Sequence, residues 1–226
     1  RQVDIYTEFA LYHFGLQAAD PKKRIELLET LFERNAGSKY AAMGSGPLFQ
    51  LYQETGQKDK ALQFAERTLQ KDQSNDDMML VMASHYYEGM KDKQKVLDYC
   101  GKLLSLLPTK PKPEGVSDAD WRKTRDKKMG LANWMSGVVY STDQEWAQAD
   151  KTLRAALPNI RDTVDLLAEA LFHLGVSNFK LGDPAGDQQR ILDAMRFNQE
   201  CAAIPGRYQE MAKKNIAAIQ NQYRIK

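Results

Sequence analysis

The sequence predicts an all-α protein made of successive antiparallel helix pairs. Apolar side chains recur every three or four residues, and glycine or proline separates the segments that show this period. No stretch shows the period-two alternation of a half-buried β-strand. A third observation is a repeat, because comparable points near the ends of the first helices fall at Leu16, Tyr52, Tyr87, Tyr140 and Asn178. Three of the four intervals are 36, 35 and 38 residues long, so one structural unit recurs along the chain.

The remaining interval, from Tyr87 to Tyr140, points to an insertion between the third and fourth helix pairs. It is 53 residues long, which exceeds a repeat of about 34 residues by 19. The excess maps to residues 109–127, a block that fits no repeat. Removing this block restores the period, so we expect residues 1–226 to form one repeat domain with an insertion.

Five helix pairs and a final helix account for the rest of the chain. The pairs are expected at about residues 3–34, 42–73, 77–108, 118–158 and 162–205, and the last helix at 208–223. In the first pair Asp20-Pro21 separates the helices, because proline is tolerated in the first turn of a helix. Ile5 and Phe9 are expected to face inward. Gly56 marks the turn of the second pair.

The later pairs carry helix signals of their own. Ser117 and Asp120 form a capping-box pattern, which predicts a helix that starts in the insertion and continues into the fourth pair. In the fifth pair Gly182 is expected to stop the first helix. The second helix of that pair is expected to face inward with Ile191, Leu192 and Met195, and the final helix with Met211, Ile216 and Ile219.

Several of these pairs follow one spaced pattern of apolar and small residues. Its members are Ser45, Leu48, Phe49, Tyr52, Ala61 and Ala65; Leu80, Ala83, Ser84, Tyr87, Val96, Cys100 and Pro108; Asn133, Ser136, Gly137, Tyr140, Ala149 and Leu153; and Leu171, Leu174, Gly175 and Asn178. This pattern resembles the tetratricopeptide repeat (TPR) family, whose unit reads W-x-x-L-G-x-x-Y, then A-x-x-x-F, then P. The resemblance implies a right-handed superhelical solenoid with a concave groove, closed by residues 208–223 as a capping helix. It also implies that Ser84, Gly137 and Gly175 let paired helices approach closely.

The resemblance places the partner-binding surface on the first helices of the pairs. The positions that it assigns to the groove are Met43, Gln50, Gln53, Met78, Val81, His85, Glu88, Leu131, Trp134, Val138, Ser141, Phe172, Val176 and Phe179. Trp134, Phe172 and Phe179 make this surface apolar, which is typical of a site for a peptide or a protein segment. The alternative is that these three side chains belong to the core between repeats.

Composition and motifs argue against several other classes of protein. With 32 basic and 30 acidic residues the net charge is +2, which does not demand an anionic partner. No apolar run approaches the roughly twenty residues of a membrane span. The histidines His13, His85 and His173 lack metal-site spacing, and no nucleophile or phosphate-binding motif is present. We therefore expect a protein interaction scaffold with no enzyme activity, metal or cofactor, and we expect Cys100 and Cys201 to be buried thiols.

Two further hypotheses stay open at the level of the sequence. A possible basic docking segment for nucleic acid or acidic partners consists of Lys110, Lys112, Arg122, Lys123, Arg125, Lys127 and Lys128. The interleaved acidic residues favour a solvated helix face instead, which disfavours nucleic acid. The second hypothesis is a bacterial envelope module that assembles or tethers outer-membrane complexes, since the chain begins at Arg1 and an export signal is expected to have been removed. Periplasm or envelope is thus favoured over cytoplasm, and a homo-oligomer is compatible with the sequence.

Overall fold

The chain is helical almost throughout. A computed structural model describes residues 2–224, with side chains from residue 3 onward. This part of the chain forms eleven α-helices, one 3₁₀ helix and no β-strand. The helices are α1 (Gln2–Gln17), α2 (Pro21–Asn35), α3 (Lys39–Glu54), α4 (Lys58–Lys71), α5 (Asp76–Tyr87), α6 (Lys93–Leu106), α7 (Asp118–Thr142), α8 (Trp146–Ile160), α9 (Val164–Ala185), α10 (Gln188–Ala202) and α11 (Gln209–Tyr223), and the 3₁₀ helix is Glu88–Met90. The all-α prediction is confirmed, with five helix pairs in order and α11 at the end.

Capping side chains set several of the helix starts. The carboxylate of Asp20 accepts a hydrogen bond from the Lys22 amide at 2.9 Å, just before Pro21 begins α2. Ser117 Oγ accepts from the Asp120 amide at 3.1 Å. These bonds satisfy backbone N–H groups that have no partner inside the helix. The second one confirms that a helix starts within the predicted insertion and runs without a break into the fourth pair.

The chain divides into two compact units, one ending at Met82 and the other beginning at Ala83. Each has a core of fully buried aliphatic side chains, exemplified by Leu28 and Leu48 in the first and by Leu153 and Leu174 in the second. Burying side chains of this size contributes about 1.5–3 kcal/mol each. The organisation of residues 1–226 as one solenoid stays a prediction.

In the first unit, the orientation of α1 differs from the predicted one. Ile5 and Phe9 are 53% and 43% exposed, although their spacing predicted an inward face. The reason is Gly15, where an added Cβ would lie 2.9 Å from Leu28 Cγ. Because Gly15 allows α1 to lie directly on α2, the helix turns this small side toward its neighbour and leaves Ile5 and Phe9 outside.

Helix α3 begins earlier than its apolar pattern predicted. It starts at Lys39, because Ser38 Oγ accepts a hydrogen bond from the Ala41 amide at 3.1 Å and caps the helix. Pro47 lies within the helix, where it removes one backbone donor without ending the helix. Residues 39–41, which precede the expected start of the second pair at about residue 42, therefore belong to its first turn.

In the second unit, two predicted glycines lie at close contacts between paired helices. An added Cβ at Gly137 would lie 2.5 Å from Leu153 Cγ on α8, and one at Gly175 would lie 2.4 Å from Asn198 Nδ2 on α10. Both distances are too short for a side chain, so each glycine lets the helix pair pack closely. Ser84 does not share this role, because its side chain is exposed and its Oγ lies 3.9 Å from Met135 Sδ on α7.

Two predicted inward residues of α10 and α11 are exposed. Leu192 is 49% exposed and Met211 is 45% exposed. In each helix the adjacent residue takes the buried position, Ile191 in α10 and Ala212 in α11. Consecutive residues of an α-helix point about 100° apart, so a shift of one position moves the predicted residue off the buried face.

Helix α9 continues past the glycine that was expected to end it. Gly182 is buried, and a Cβ there would lie 2.9 Å from Arg190 Cβ on α10. The turn is made by Gly186 instead, whose φ of 65° is the left-handed conformation that glycine adopts without strain. Gly182 is thus a packing residue.

A polar network joins α8, α9 and α10. Asn178, which is fully buried, donates through Nδ2 to Asp150 Oδ1 at 2.7 Å, and its Oδ1 accepts from Arg154 at 3.2 Å. Arg154 also donates to Asp193 Oδ2 at 2.7 Å, and Arg190 donates to Asn178 Oδ1 at 3.2 Å. Because these partners satisfy one another, the network can lie between packed helices.

Two further findings concern the burial of the cysteines and the hydropathy of the helices. Cys100 and Cys201 are fully buried free thiols, as predicted. Within residues 2–224, no helix combines the length and the apolar character that crossing a lipid bilayer requires.

Candidate partner-binding site on the second unit

A cavity of about 240 Å³ opens between α9, α10 and α11. Its walls are mainly hydrocarbon and include two of the predicted groove residues. The lining residues are Gly175, Val176, Phe179, Lys180, Asn198, Asn215, Ala218 and Ile219. The cavity therefore brings part of the predicted partner-binding surface together with residues of the final helix.

The back of this cavity is polar but hydrogen-bonded within the protein. Asn198 Nδ2 donates to the Ala194 carbonyl at 2.8 Å, and Asn198 Oδ1 accepts from Asn215 Nδ2 at 3.0 Å. Gly175 allows Asn198 to lie directly against α9. Since the Asn198 amide already has partners on both sides, a ligand would gain most from the apolar walls at Val176 and Phe179.

Phe179 has both of the roles that the sequence left open. It is half-buried and packs against a core cluster of Ile191, Ala194, Met195 and Ile219. The same side chain also lines the cavity. Phe179 thus belongs partly to the core, and its remaining surface is available to a partner.

At the other end of α9, a carboxylate holds two tyrosines. Glu169 Oε2 accepts a hydrogen bond from Tyr87 Oη at 3.0 Å, and Glu169 Oε1 accepts one from Tyr208 Oη. Tyr87 lies against Trp134 with ring centroids 4.7 Å apart, and Tyr208 stacks on Phe172 at 5.0 Å. Trp134 and Phe172 are therefore joined through one aromatic and carboxylate cluster.

Burial and charge fix the protonation states in this cluster. Burial and the Glu169 carboxylate raise the pKa values of Tyr87 and Tyr208 well above the usual range, so both phenols remain hydrogen-bond donors. Burial lowers the pKa of His173 to about 4; Glu169 opposes this shift, and Arg207 adds to it. The neutral His173 ring lies 2.8 Å from Ser141 Oγ through Nδ1. Near neutral pH, Tyr87 and Tyr208 are therefore protonated and His173 is uncharged.

The Ser141–His173 contact does not form an acyl-transfer site. Both oxygens of Glu169 accept tyrosine hydroxyls, and Ser141 is only 4% exposed, so the serine is not presented to a substrate. In the described part of the chain, no three histidine, cysteine, aspartate or glutamate side chains are grouped closely enough to hold a metal ion.

The predicted groove residues differ widely in exposure and are divided between the two units. Met43, Gln50, Gln53, Met78 and Val81 belong to the first unit, and the others to the second. Exposed are Met43, Gln50, Gln53 and Glu88; half-buried are Val81, His85, Leu131, Phe172, Val176 and Phe179; buried are Met78, Trp134, Val138 and Ser141. For the four buried residues, the prediction of direct contact with a partner is corrected, because side chains within the core offer a partner little surface. Contact of the others with a partner stays a prediction.

Four contributors to this region were not predicted as site residues. They are Glu169, Asn198, Tyr208 and Asn215. Tyr208, at the start of the final helix, carried the only available signal: a large aromatic residue next to the turn at Pro205-Gly206. The pairing of Asn198 with Asn215 depends on how α10 and α11 cross, which residue spacing alone does not show.

The basic segment is balanced by nearby acids. Lys112 pairs with Asp118, and Arg125 pairs with Asp126 at 2.9 Å. Lys112 Nζ also holds the pKa of the Asp118 carboxyl below its usual value. These ion pairs reduce the positive field that nucleic acid binding requires.

Comparisons with known proteins give structural neighbours but no matching family. No family model matches the sequence, and no curated protein matches it. Among solved structures, the chain is similar to a thermophilic TPR protein from Thermus thermophilus, with 15% identity over 95% of this chain and 99% of the other and a TM-score of 0.38. It is also similar to a tetratricopeptide repeat protein from Parabacteroides merdae, with 13% identity over 98% and 100% of the two chains and a TM-score of 0.36. The described part of the chain consists of successive helix pairs, with glycines at close contacts between paired helices.

Proposed function

We propose that the protein is a non-catalytic interaction scaffold that binds an apolar segment of a protein partner in the α9–α11 cavity. The observation that carries this proposal is the cavity itself, with half-exposed Val176 and Phe179 in its wall. Apolar surface that remains concave and accessible after folding is typical of a recognition site.

The size of the cavity limits what enters it. A volume of 240 Å³ accommodates one or two large side chains and is too small for a whole helix. A partner segment therefore lies across the opening and inserts an anchoring side chain, as binding hot spots commonly do. Lys180 is exposed and lines the same cavity, so an acidic residue beside the anchor is favoured.

The test uses two substitutions of the same type on one helix. Val176→Lys places a charge in the cavity wall, whereas Val164→Lys changes a valine that is 56% exposed at the start of α9. Peptides are selected from a displayed random library with the unsubstituted protein, and their affinities are then measured by fluorescence polarisation. We expect Val176→Lys to weaken binding at least about tenfold, because the ammonium group displaces apolar contact. Val164→Lys is expected to change it less than about twofold.

Circular dichroism and thermal unfolding establish that both variants keep the fold. Selection of no peptide above background contradicts the proposal. So does equal binding by the two folded variants, since the bound surface would then lie outside the cavity.

A further inference from the structure

The first unit contains a larger cavity that the proposed function does not use. It has a volume of about 330 Å³ and lies between α2, α3 and α4. None of the predicted groove residues lines it. Its volume is within the range of small-ligand sites, which is roughly 300–1,000 Å³.

Two walls of this cavity carry opposite charges. Glu29 and Glu33, one helical turn apart on α2, form the acidic wall. Lys60, Arg67 and Lys71 line the cavity from α4 and form the basic wall. The charges are therefore mostly sorted by helix; the exception is Asp72, directly after α4, whose carboxylate accepts hydrogen bonds from the Ser74 amide and hydroxyl.

The two walls do not neutralise each other. Among the described residues, no ion pair within 4.0 Å and no side-chain hydrogen bond involves Glu33, Arg67 or Lys71. Both walls nevertheless act on Tyr52, which lines the cavity: burial raises the pKa of its hydroxyl most, Glu29 and Glu33 raise it further, and Arg67 lowers it. The opposite charges are thus close enough to share an electrostatic environment but are not paired across the opening.

Aromatic rings form the floor between the walls. Phe32 and Phe64 meet edge to face with centroids 4.7 Å apart, and Tyr52 lies 6.0 Å from Phe64. Tyr52 Oη donates to Glu29 Oε1 at 2.5 Å, which holds this carboxylate at the edge of the floor. Tyr52 and Phe64 are only 2% and 3% exposed, so a hydrocarbon chain on this floor contacts mainly the half-buried ring of Phe32, where burying methylene groups is favourable.

We propose that this cavity binds a dipolar ligand with an ammonium group and a carboxylate at opposite ends of a short hydrocarbon chain. The ammonium group lies toward Glu29 and Glu33, the carboxylate toward Arg67 and Lys71, and the chain over the aromatic floor. A ligand with one charge leaves the opposite wall without a partner, so the site discriminates against it. A carboxy-terminal lysine residue and a free ω-amino acid share this chemistry.

The first experiment compares three probes of similar length in titrations followed by ¹H–¹⁵N correlation NMR at low ionic strength. 6-Aminohexanoate carries both charges, hexylamine only the cation and hexanoate only the anion. We expect 6-aminohexanoate to shift amides of α2 and α4 around the cavity and to bind at least about tenfold more tightly than either comparison probe, because each comparison probe lacks one of the two charge contacts. Absence of a saturable shift at about 20 mM 6-aminohexanoate overturns the proposal. Equal binding of all three probes also overturns it.

Two substitutions separate the contributions of the walls. Glu33→Gln is expected to weaken 6-aminohexanoate and hexylamine while leaving hexanoate unchanged, and Arg67→Gln to weaken 6-aminohexanoate and hexanoate while leaving hexylamine unchanged. Matched controls are Glu66→Gln and Arg34→Gln, both at exposed positions that do not line the cavity. If a control variant weakens binding as much as its test variant, general surface charge explains the effect and the site is refuted.

A final comparison identifies the source of the dipolar group. A peptide that ends in a free lysine carboxylate is compared with the same peptide amidated at its end, and with free lysine. Binding of the peptide that amidation abolishes indicates a protein terminus, and tighter binding of free lysine indicates a small metabolite. All of these variants lie in the first unit, so their outcome is independent of the Val176→Lys result on the second.

Discussion

Glu169 shows how a single side chain organises the candidate site. Its carboxylate accepts hydrogen bonds from Tyr87 on α5 and from Tyr208 just before α11, and these tyrosines contact Trp134 and Phe172. A charge on such a residue is tolerated because both oxygens are hydrogen-bonded. Glu169 thus helps to fix Tyr87 and Tyr208, and through them the rings that they contact.

At the scale of one residue, His173 makes stability depend on pH. Its folded pKa of about 4 is below the unfolded value of roughly 6.5, so protonation favours the unfolded chain. The stabilisation by neutral His173 is complete above about pH 6.5 and is lost as pH falls toward 4. Between about pH 7 and pH 4.5, we expect the unsubstituted protein to lose roughly 2 kcal/mol more free energy of unfolding than His173→Gln. Urea unfolding at the two pH values measures this difference, and equal losses contradict it.

Individual site residues were predictable only where helix spacing determines their direction. Val176 and Phe179 were assigned to one helix face, and both line the cavity. Trp134 was assigned to the same type of surface but is 8% exposed, because Tyr87 lies over it. That contact joins residues distant in sequence, and a repeat pattern does not show which aromatic ring covers another.

At the scale of the helix pair, two glycines differ in the space that surrounds them. A Cβ at Gly137 meets Leu153 at 2.5 Å, whereas a Cβ at Gly101 on α6 has no atom within 4 Å. Gly137→Ala is therefore expected to destabilise the protein by about 1–3 kcal/mol through overpacking. Gly101→Ala is expected to stabilise it by about 0.5–1 kcal/mol, because alanine favours helix more than glycine does.

Thermal and chemical unfolding of both variants measure these changes. A Gly137→Ala protein as stable as the unsubstituted one would falsify the close contact between α7 and α8. Stabilisation by both substitutions would show that helix propensity alone controls the two positions.

Helix boundaries were predictable where a side chain or a turn defines them. The capping pattern at Ser117 gave the start of α7, since a hydroxyl three residues before an acid leaves few alternatives. Gly182 misled the prediction because a glycine at a helix contact and one at a helix end have the same local sequence signal. Only the approach of Arg190 on α10 distinguishes them.

At the scale of the whole molecule, residues 107–117 form a non-helical connection between α6 and α7. Most of them are exposed, and prolines at 108, 111 and 113 prevent helix formation there. Limited digestion with a glutamate-specific protease is expected to cut first after Glu114, because Glu114 lies in the long connection between α6 and α7, whereas the other glutamates lie in helices or directly beside a helix end. Mass spectrometry should identify residues 1–114 and 115–226 as the first products. Glu114→Gln should slow this cut; earlier cleavage within a helix contradicts the expectation.

The repeat period was the most predictable property of the whole chain, and the cavities were the least. The period follows from helix length and turn length, which are local properties. The cavity beside Tyr52 depends on the separation of α2 and α4, and the one beside Phe179 depends on where α11 crosses α9. Both gaps are the result of packing between distant segments, so residue spacing could not reveal them.

The buried thiols make the chain suitable for site-specific labelling. Cys100 and Cys201 are the only cysteines, and burial raises their pKa values to about 12 and 11. Thiolate is the species that maleimide reagents attack, so neither native cysteine competes effectively at neutral pH. One cysteine introduced at an exposed position can therefore carry a fluorophore without removal of the native pair. Single-molecule studies usually require native cysteines to be replaced before labelling, and this sequence makes that replacement unnecessary.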